Sequence, residues 1–225
     1  MPQETLDAVL EDWTTAEIPG NIRAALKMLE YMTVHPLDID HNLMSKLREA
    51  GLSNLAIQEA ANVGFHYNLI DRVADAFDFP VPKGIQQKRL ARMLNITGGI
   101  LRSSPAVEDW VEAEDGAIRP PEVEKGRQHL LSIEGETDPI LRSDIEAFVY
   151  SQWGVDRGRS PDLPDALMNY LKKLSRYAYR ITDDDLEALK AIGFTDDKIY
   201  EITLVGSVSA ALVGLDEVYK YLYGN

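Results

Sequence analysis

LREAGLSNLAIQEAANVG, residues Leu47 to Gly64, and LKAIGFTDDKIYEITLVG, residues Leu189 to Gly206, are one pattern written twice, with every counterpart 142 residues apart. Leu47, Gly51, Ile57, Glu59, Val63 and Gly64 recur as Leu189, Gly193, Ile199, Glu201, Val205 and Gly206, while Leu52-Ser53 recurs as Phe194-Thr195. In each copy a helical apolar stripe runs into a glycine suited to a left-handed cap. A Ser or Thr that can cap the next helix follows, and then a second stripe. A fixed offset through a whole helix-turn-helix predicts one structural unit used twice.

Outward from the first copy, Ile22, Ala25, Leu26, Leu29 and Met32 keep helical spacing after Pro19-Gly20. This helix is expected to end near His35-Pro36, because the residue before a proline is pushed out of the α region. Leu43, Met44 and Leu47 form a second helix, and Ile57, Ala60, Ala61, Gly64 and Phe65 the buried face of a third. Outward from the second copy, Leu167, Tyr170, Leu171 and Leu174 form a stripe and Thr182 with Asp185 reads as a capping box. The small residues Gly206, Ser207, Ser209, Ala210, Ala211 and Gly214 would let a neighbouring helix approach closely, in the interior or at a subunit contact. Between the copies, helices are expected over Gly84 to Leu94 and Arg142 to Trp153. Residues 103–125, with Pro105, Pro120, Pro121 and several acids, read as a loop. No strand pattern stands out. The expected organisation is all-α: a first helical half over 1–102, an acidic Pro-containing linker over 103–125 and a second helical half over 126–225.

Composition narrows the chemistry. With 45% hydrophobic residues in 225 the chain can bury a core. The 37 acids against 23 bases, a net charge of -14, argue against nucleic acid and anionic membrane surfaces as partners. The absence of cysteine removes disulfides, thiolate nucleophiles, iron–sulfur clusters and Cys-ligated zinc together. The N-terminus does not read as a secretory signal and no apolar run reads as a membrane span, so the expected location is the cytoplasm. No cofactor and no metal is expected.

Leu47-Arg48-Glu49-Ala50-Gly51-Leu52-Ser53, Ile57-Gln58-Glu59-Ala60 and Phe65-His66-Tyr67-Asn68-Leu69-Ile70-Asp71-Arg72-Val73-Ala74-Asp75 together resemble the alkylhydroperoxidase-D-like, or carboxymuconolactone decarboxylase, superfamily, in particular its peroxidase-related branch. The resemblance covers residues 26 to 77. It implies a tandem pair of alkylhydroperoxidase-D-like helical repeats and a homo-oligomer. The branch carries a Gly-Leu-Ser turn followed by a helix with Asn and Arg four apart, which Asn68 and Arg72 match; the second copy has Ala210 and Gly214 there. The family's peroxidase chemistry uses a Glu, a Cys-x-x-Cys pair and a His ahead of the glycine turn. Those places hold Glu30, Pro36, Ile39 and Leu43 in the first copy and Lys172, Ala178, Ile181 and Asp185 in the second. Neither copy can perform thiol peroxidase chemistry.

The candidate proton-transfer residues are Glu30, His35, His41 and His66, all in the first copy, and no His-x-x-x-His or Glu-x-x-His pattern makes a metal site of them. Asn68 and Arg72, one turn apart, can hold a carboxylate in a guanidinium fork or make a salt bridge or hydrogen bond within the bundle. Glu59 and Glu201 occupy equivalent places, which suggests a structural task such as pairing with a base. Lys83, Lys88, Arg89, Arg92 and Arg102 form a basic island that could touch a nucleic acid or an acidic partner; with a net charge of -14 it is expected instead to balance the acids at Glu108 to Asp115 or an acidic surface on a second subunit. Gly98-Gly99 reads as a turn and matches no phosphate loop. The expected function is that of a cysteine-free, non-peroxidase scaffold that binds a small molecule or assembles with itself. The alternative is a carboxymuconolactone-decarboxylase-like lyase, in which Arg72 and Asn68 anchor a small carboxylated ligand and Glu30 or a histidine moves the proton.

Overall fold

Gly51 and Gly193 turn the chain at φ +89° and +98°, where a Cβ is disfavoured, and each ends a helix that begins 142 residues from its counterpart. The computed structural model describes residues 3–80, 110–158 and 161–224. Among them are nine α-helices: α1 (Gln3–Asp12), α2 (Gly20–Val34), α3 (His41–Glu49), α4 (Asn54–Ala76), α5 (Pro121–Ser132), α6 (Pro139–Ser151), α7 (Asp165–Tyr177), α8 (Asp183–Ala191) and α9 (Asp196–Tyr223). A two-stranded antiparallel hairpin, β1 (Val111–Glu112) with β2 (Ile118–Arg119), precedes α5. Among the described residues the fold is all-α apart from this hairpin.

The caps set the starts. Asp40 accepts from the Leu43 amide and Ser53 from Ala56 in the first half. Thr182 and Asp185 close a capping box and Thr195 accepts from Lys198 in the second. Short 3₁₀ turns, Pro36–Asp38 and Ala178–Arg180, lie at the same offset. They follow His35 and Tyr177, whose backbones share φ near -140° and ψ near +50°.

Helix α9 is the axis of the packing, running against α4, α6, α7 and α2. One core gathers Met28, Met32, Ile39, Met44, Leu47 and Ile57 around the C-terminal part of α9, from Ala211 to Leu222. The other gathers Ile145, Leu167, Leu171, Leu174, Leu189, Ile199 and Val205, and receives Ala76 from the end of α4. The small residues of α9 serve this interior. A Cβ on Gly214 would strike the backbone carbonyl of Met32, and one on Gly206 would lie 2.7 Å from Leu174 and 3.1 Å from Leu171. Gly64 faces Leu29 and Met32 in the same way, and these residues lie 142 positions before Leu171 and Leu174.

Several details differ from the sequence reading. Helix α1 was not expected. Helix α6 starts three residues before Arg142, because the Asp138 carboxylate caps it at Ile140 and Pro139 suits its first turn. The described part of the acidic linker, from Trp110, holds the hairpin: its strands are only two residues long, too short for alternation to show, and Pro121 opens α5 within the linker. Helix α9 is long and apolar enough to cross a membrane by length and composition, with mean hydropathy 1.4 over its most apolar window, although 78% of that window is buried inside the chain. The helix expected over Gly84 to Leu94, the basic island and the Gly98-Gly99 turn lie outside the described residues.

Candidate functional site

Arg119, at the end of β2, is a fully buried arginine whose three side-chain nitrogens are all bonded. Its Nε donates to Asp216 Oδ1 at 2.6 Å, Nη1 to Glu124 Oε2 at 2.6 Å, and Nη2 to Asp216 Oδ2 at 2.7 Å and Asp115 Oδ2 at 2.9 Å. Arg127 joins Glu124 at 3.0 Å and grips Glu146 with two bonds of 2.6 and 2.7 Å. Arg157 reaches Asp115 at 2.6 Å and Asp216 at 3.2 Å, with its guanidinium carbon 3.7 Å from the centre of the Tyr150 ring. The Tyr150 hydroxyl donates to Asp216 Oδ2 at 2.7 Å. Four carboxylates (Asp115, Glu124, Glu146, Asp216) thus face three guanidiniums (Arg119, Arg127, Arg157), an excess of one negative charge. The hairpin, α5, α6 and α9 are tied together through this cluster.

Low dielectric sharpens these interactions. Burial by itself would push the Asp115 carboxyl up, but the charge and hydrogen bonds of Arg119, with Arg157 behind them, hold it at about 2. Burial, with the Asp216 carboxylate adding to it, keeps the Tyr150 phenol protonated well above its ordinary range. Burial disfavours the charge on Arg119, but the hydrogen bond to Asp216 and the surrounding acids outweigh it and raise its pKa. Next to the cluster opens a cavity of about 240 Å³, walled by Ile118, Val155 and Val213 on its apolar side and by Asp115, Tyr150, Arg157, Asp216, Glu217 and Lys220 on its polar side. That is small for a ligand pocket, and suits a compact metabolite.

The residues singled out from sequence lie elsewhere. Glu30 is half-buried and pairs with Lys27 at 2.7 Å. His35 is exposed, 4.0 Å from Asp38. His41 stands edge-on to Tyr221, and His66 is exposed with Nδ1 2.7 Å from the Asn62 carbonyl. Among the described residues none of these four hydrogen-bonds another of the four or Arg72. Asn68 and Arg72 do meet: Arg72 Nη1 donates to Asn68 Oδ1 and to the Asn68 carbonyl, both at 2.8 Å. Its Nη2 donates to the Ser175 carbonyl at 3.2 Å, joining α4 to α7, while Asn68 Nδ2 donates to Thr33 and to the Gly64 carbonyl. Burial lowers the Arg72 pKa to about 10, and its Nε is buried without a partner. Both terminal nitrogens are engaged within the chain.

Glu201 also has a structural task, with backbone amides in place of a base. Its carboxylate accepts from the Glu136 and Thr137 amides at 2.7 and 2.8 Å and from the Thr137 hydroxyl at 2.6 Å, which pins the turn before α6. Its counterpart Glu59 is exposed. Pro36, Ile39 and Leu43 are buried.

Sequence reasoning missed the ionic cavity because its residues are far apart, 97 positions between Arg119 and Asp216. One signal was available: residues 202–215 carry no charge, and Asp216 closes that run. An acid at the edge of a core helix calls for a basic partner. No family model, no curated protein and no solved structure matches the chain.

Proposed function

We propose that this chain is a tandem pair of alkylhydroperoxidase-D-like helical repeats that has no thiol peroxidase activity and acts as a small-molecule-binding scaffold. Support for the paired unit comes from the shared offset of the bounds of α3 and α8, the starts of α4 and α9, the caps and the left-handed glycines, and from Gly64 and Gly206 resting on residues related by that same offset. The observation that carries the binding reading is the cavity beside Asp115, Tyr150, Arg157 and Asp216. It combines apolar walls with a few fixed polar groups, as small-ligand sites do. The peroxide-reactive places hold hydrocarbon side chains, so the polar chemistry lies at a position that the other half does not repeat: Tyr150 and Asp216 correspond by offset to Ala8 and Ala74.

A thermal-shift screen of small polar metabolites against the wild type and Ala117→Trp, which fills the cavity, tests this reading. A ligand at one hundred times its dissociation constant adds about 2.7 kcal/mol to a state that alone binds it. The expected result is a shift of several degrees in the wild type that Ala117→Trp removes. Equal shifts in both proteins, or none in either, would count against the cavity. Hydroperoxide consumption with a dithiol donor is expected to stay at background.

Assembly is the second reading, favoured by Val63, Tyr67 and Ile70, a helical stripe on α4 with 45, 58 and 58% of its surface exposed. Light scattering behind size-exclusion chromatography is expected to give a multiple of 25.2 kDa, reduced towards that mass by Tyr67→Glu. A wild-type mass of 25.2 kDa would remove this reading.

A further inference from the structure

We propose that the place on the cavity wall where Arg157 lies, on the Tyr150 ring between Asp115 and Asp216, is a guanidinium site, and that a small ligand bearing a guanidinium group enters from the cavity by displacing Arg157. The inference rests on the binding-scaffold reading and names the class of ligand. Three surfaces make the site: the face of the Tyr150 ring, Asp115 Oδ2 and Asp216 Oδ2. A planar cation lies on the ring at 3.7 Å and directs one N–H to each acid, an arrangement an ammonium cannot reproduce because it lacks the flat, stacking fork.

Arg157 fits this site less completely than Arg119 fits its own. Arg119 has every nitrogen bonded, whereas Arg157 Nε is buried without a partner. Arg157 also comes from outside the helices, on the irregular segment between Gly154 at φ +81° and Gly158 at φ +68°. Arg119, by contrast, is fixed in the hairpin. Without Arg157, the cluster has four carboxylates against Arg119 and Arg127, two positive charges short. A buried deficit of that size calls for a replacement cation. The adjoining 240 Å³ gives a ligand's short aliphatic stem a place against Ile118, Val155 and Val213.

The test is calorimetric and thermal titration of wild type, Arg157→Ala and Arg157→Gln with agmatine, using butylamine at equal ionic strength as the ammonium control. Both variants are expected to melt below the wild type, to recover saturably with agmatine at one equivalent bound, and to respond much less to butylamine. Wild type is expected to bind agmatine about tenfold or more weakly than the variants, because the site is open only while Arg157 is displaced. Should a variant fail to fold alone, refolding that succeeds only with agmatine supports the site, and failure with agmatine present overturns it. The proposal is also overturned if neither variant binds agmatine, if butylamine does as well, or if the variants bind and the wild type never does. A library ligand whose binding is removed by Ala117→Trp, with no agmatine effect on either variant, overturns the guanidinium assignment and leaves the scaffold reading in place.

Discussion

Replacing Asp216 with asparagine removes one charge from the centre of the cluster while keeping the side chain's shape. Asp216 receives Arg119 Nε at 2.6 Å, Arg119 Nη2 at 2.7 Å, the Tyr150 hydroxyl at 2.7 Å and Arg157 Nη2 at 3.2 Å. Breaking a buried ion pair from one side costs about 3–5 kcal/mol, because the other charge stays buried without compensation. Arg119 is fully buried but keeps Asp115 and Glu124, so the lower end applies, about 3 kcal/mol. At roughly 2–4 °C per kcal/mol for a chain of this size, the melting temperature is expected to fall by about 6–12 °C. Urea unfolding followed by circular dichroism would measure the free energy directly. In a double-mutant cycle with Arg119→Met, the two losses are expected to be less than additive, since each removes the same pair. A loss below about 1 kcal/mol for Asp216→Asn, or strict additivity in the cycle, would refute the claim that this pair is held in a low-dielectric interior.

Gly214→Ala is expected to destabilise, reversing the gain of about 0.5–1 kcal/mol that alanine usually brings to a helix interior, because its methyl group strikes the Met32 backbone. Gly206→Ala meets leucine side chains that can shift and is expected to lose less; chemical denaturation ranks the two. The depressed Asp115 carboxyl contributes stability that is complete above its unfolded value of 3.8 and is lost as pH falls through the folded value of about 2. Acid unfolding between these limits is therefore expected to be shallower in Asp115→Asn, and parallel acid titrations would disprove it. Glu201→Ala is expected to speed amide exchange at Glu136 and Thr137, whereas Glu59→Ala, on an exposed position, is expected to change stability by no more than about 0.5 kcal/mol.

The helical framework was legible because its determinants are local. Helical spacing of apolar residues, the caps at Ser53, Thr182 and Thr195, and the glycines at 51 and 193 each act within one or two turns, so a linear reading recovers them. The hairpin at 111–119 was not legible, since two-residue strands have no periodicity and Arg119 is held by Asp115 of the hairpin's own turn together with Glu124 and Asp216, the last 97 positions away. The histidines of the first copy are close in sequence, yet each lies exposed beside its own neighbour.

The sequence by itself determined that this protein has no thiol chemistry, that it is helical, and where its helices turn, because residue type and local backbone preference decide those things. Tertiary structure alone decided where the charges go. Asp115, Arg119, Tyr150, Arg157 and Asp216 converge only when the hairpin, the turn after α6 and the end of α9 are packed together. Whether a charged residue is a solvated surface group or part of a buried site depends on the water removed around it, and packing removes that water.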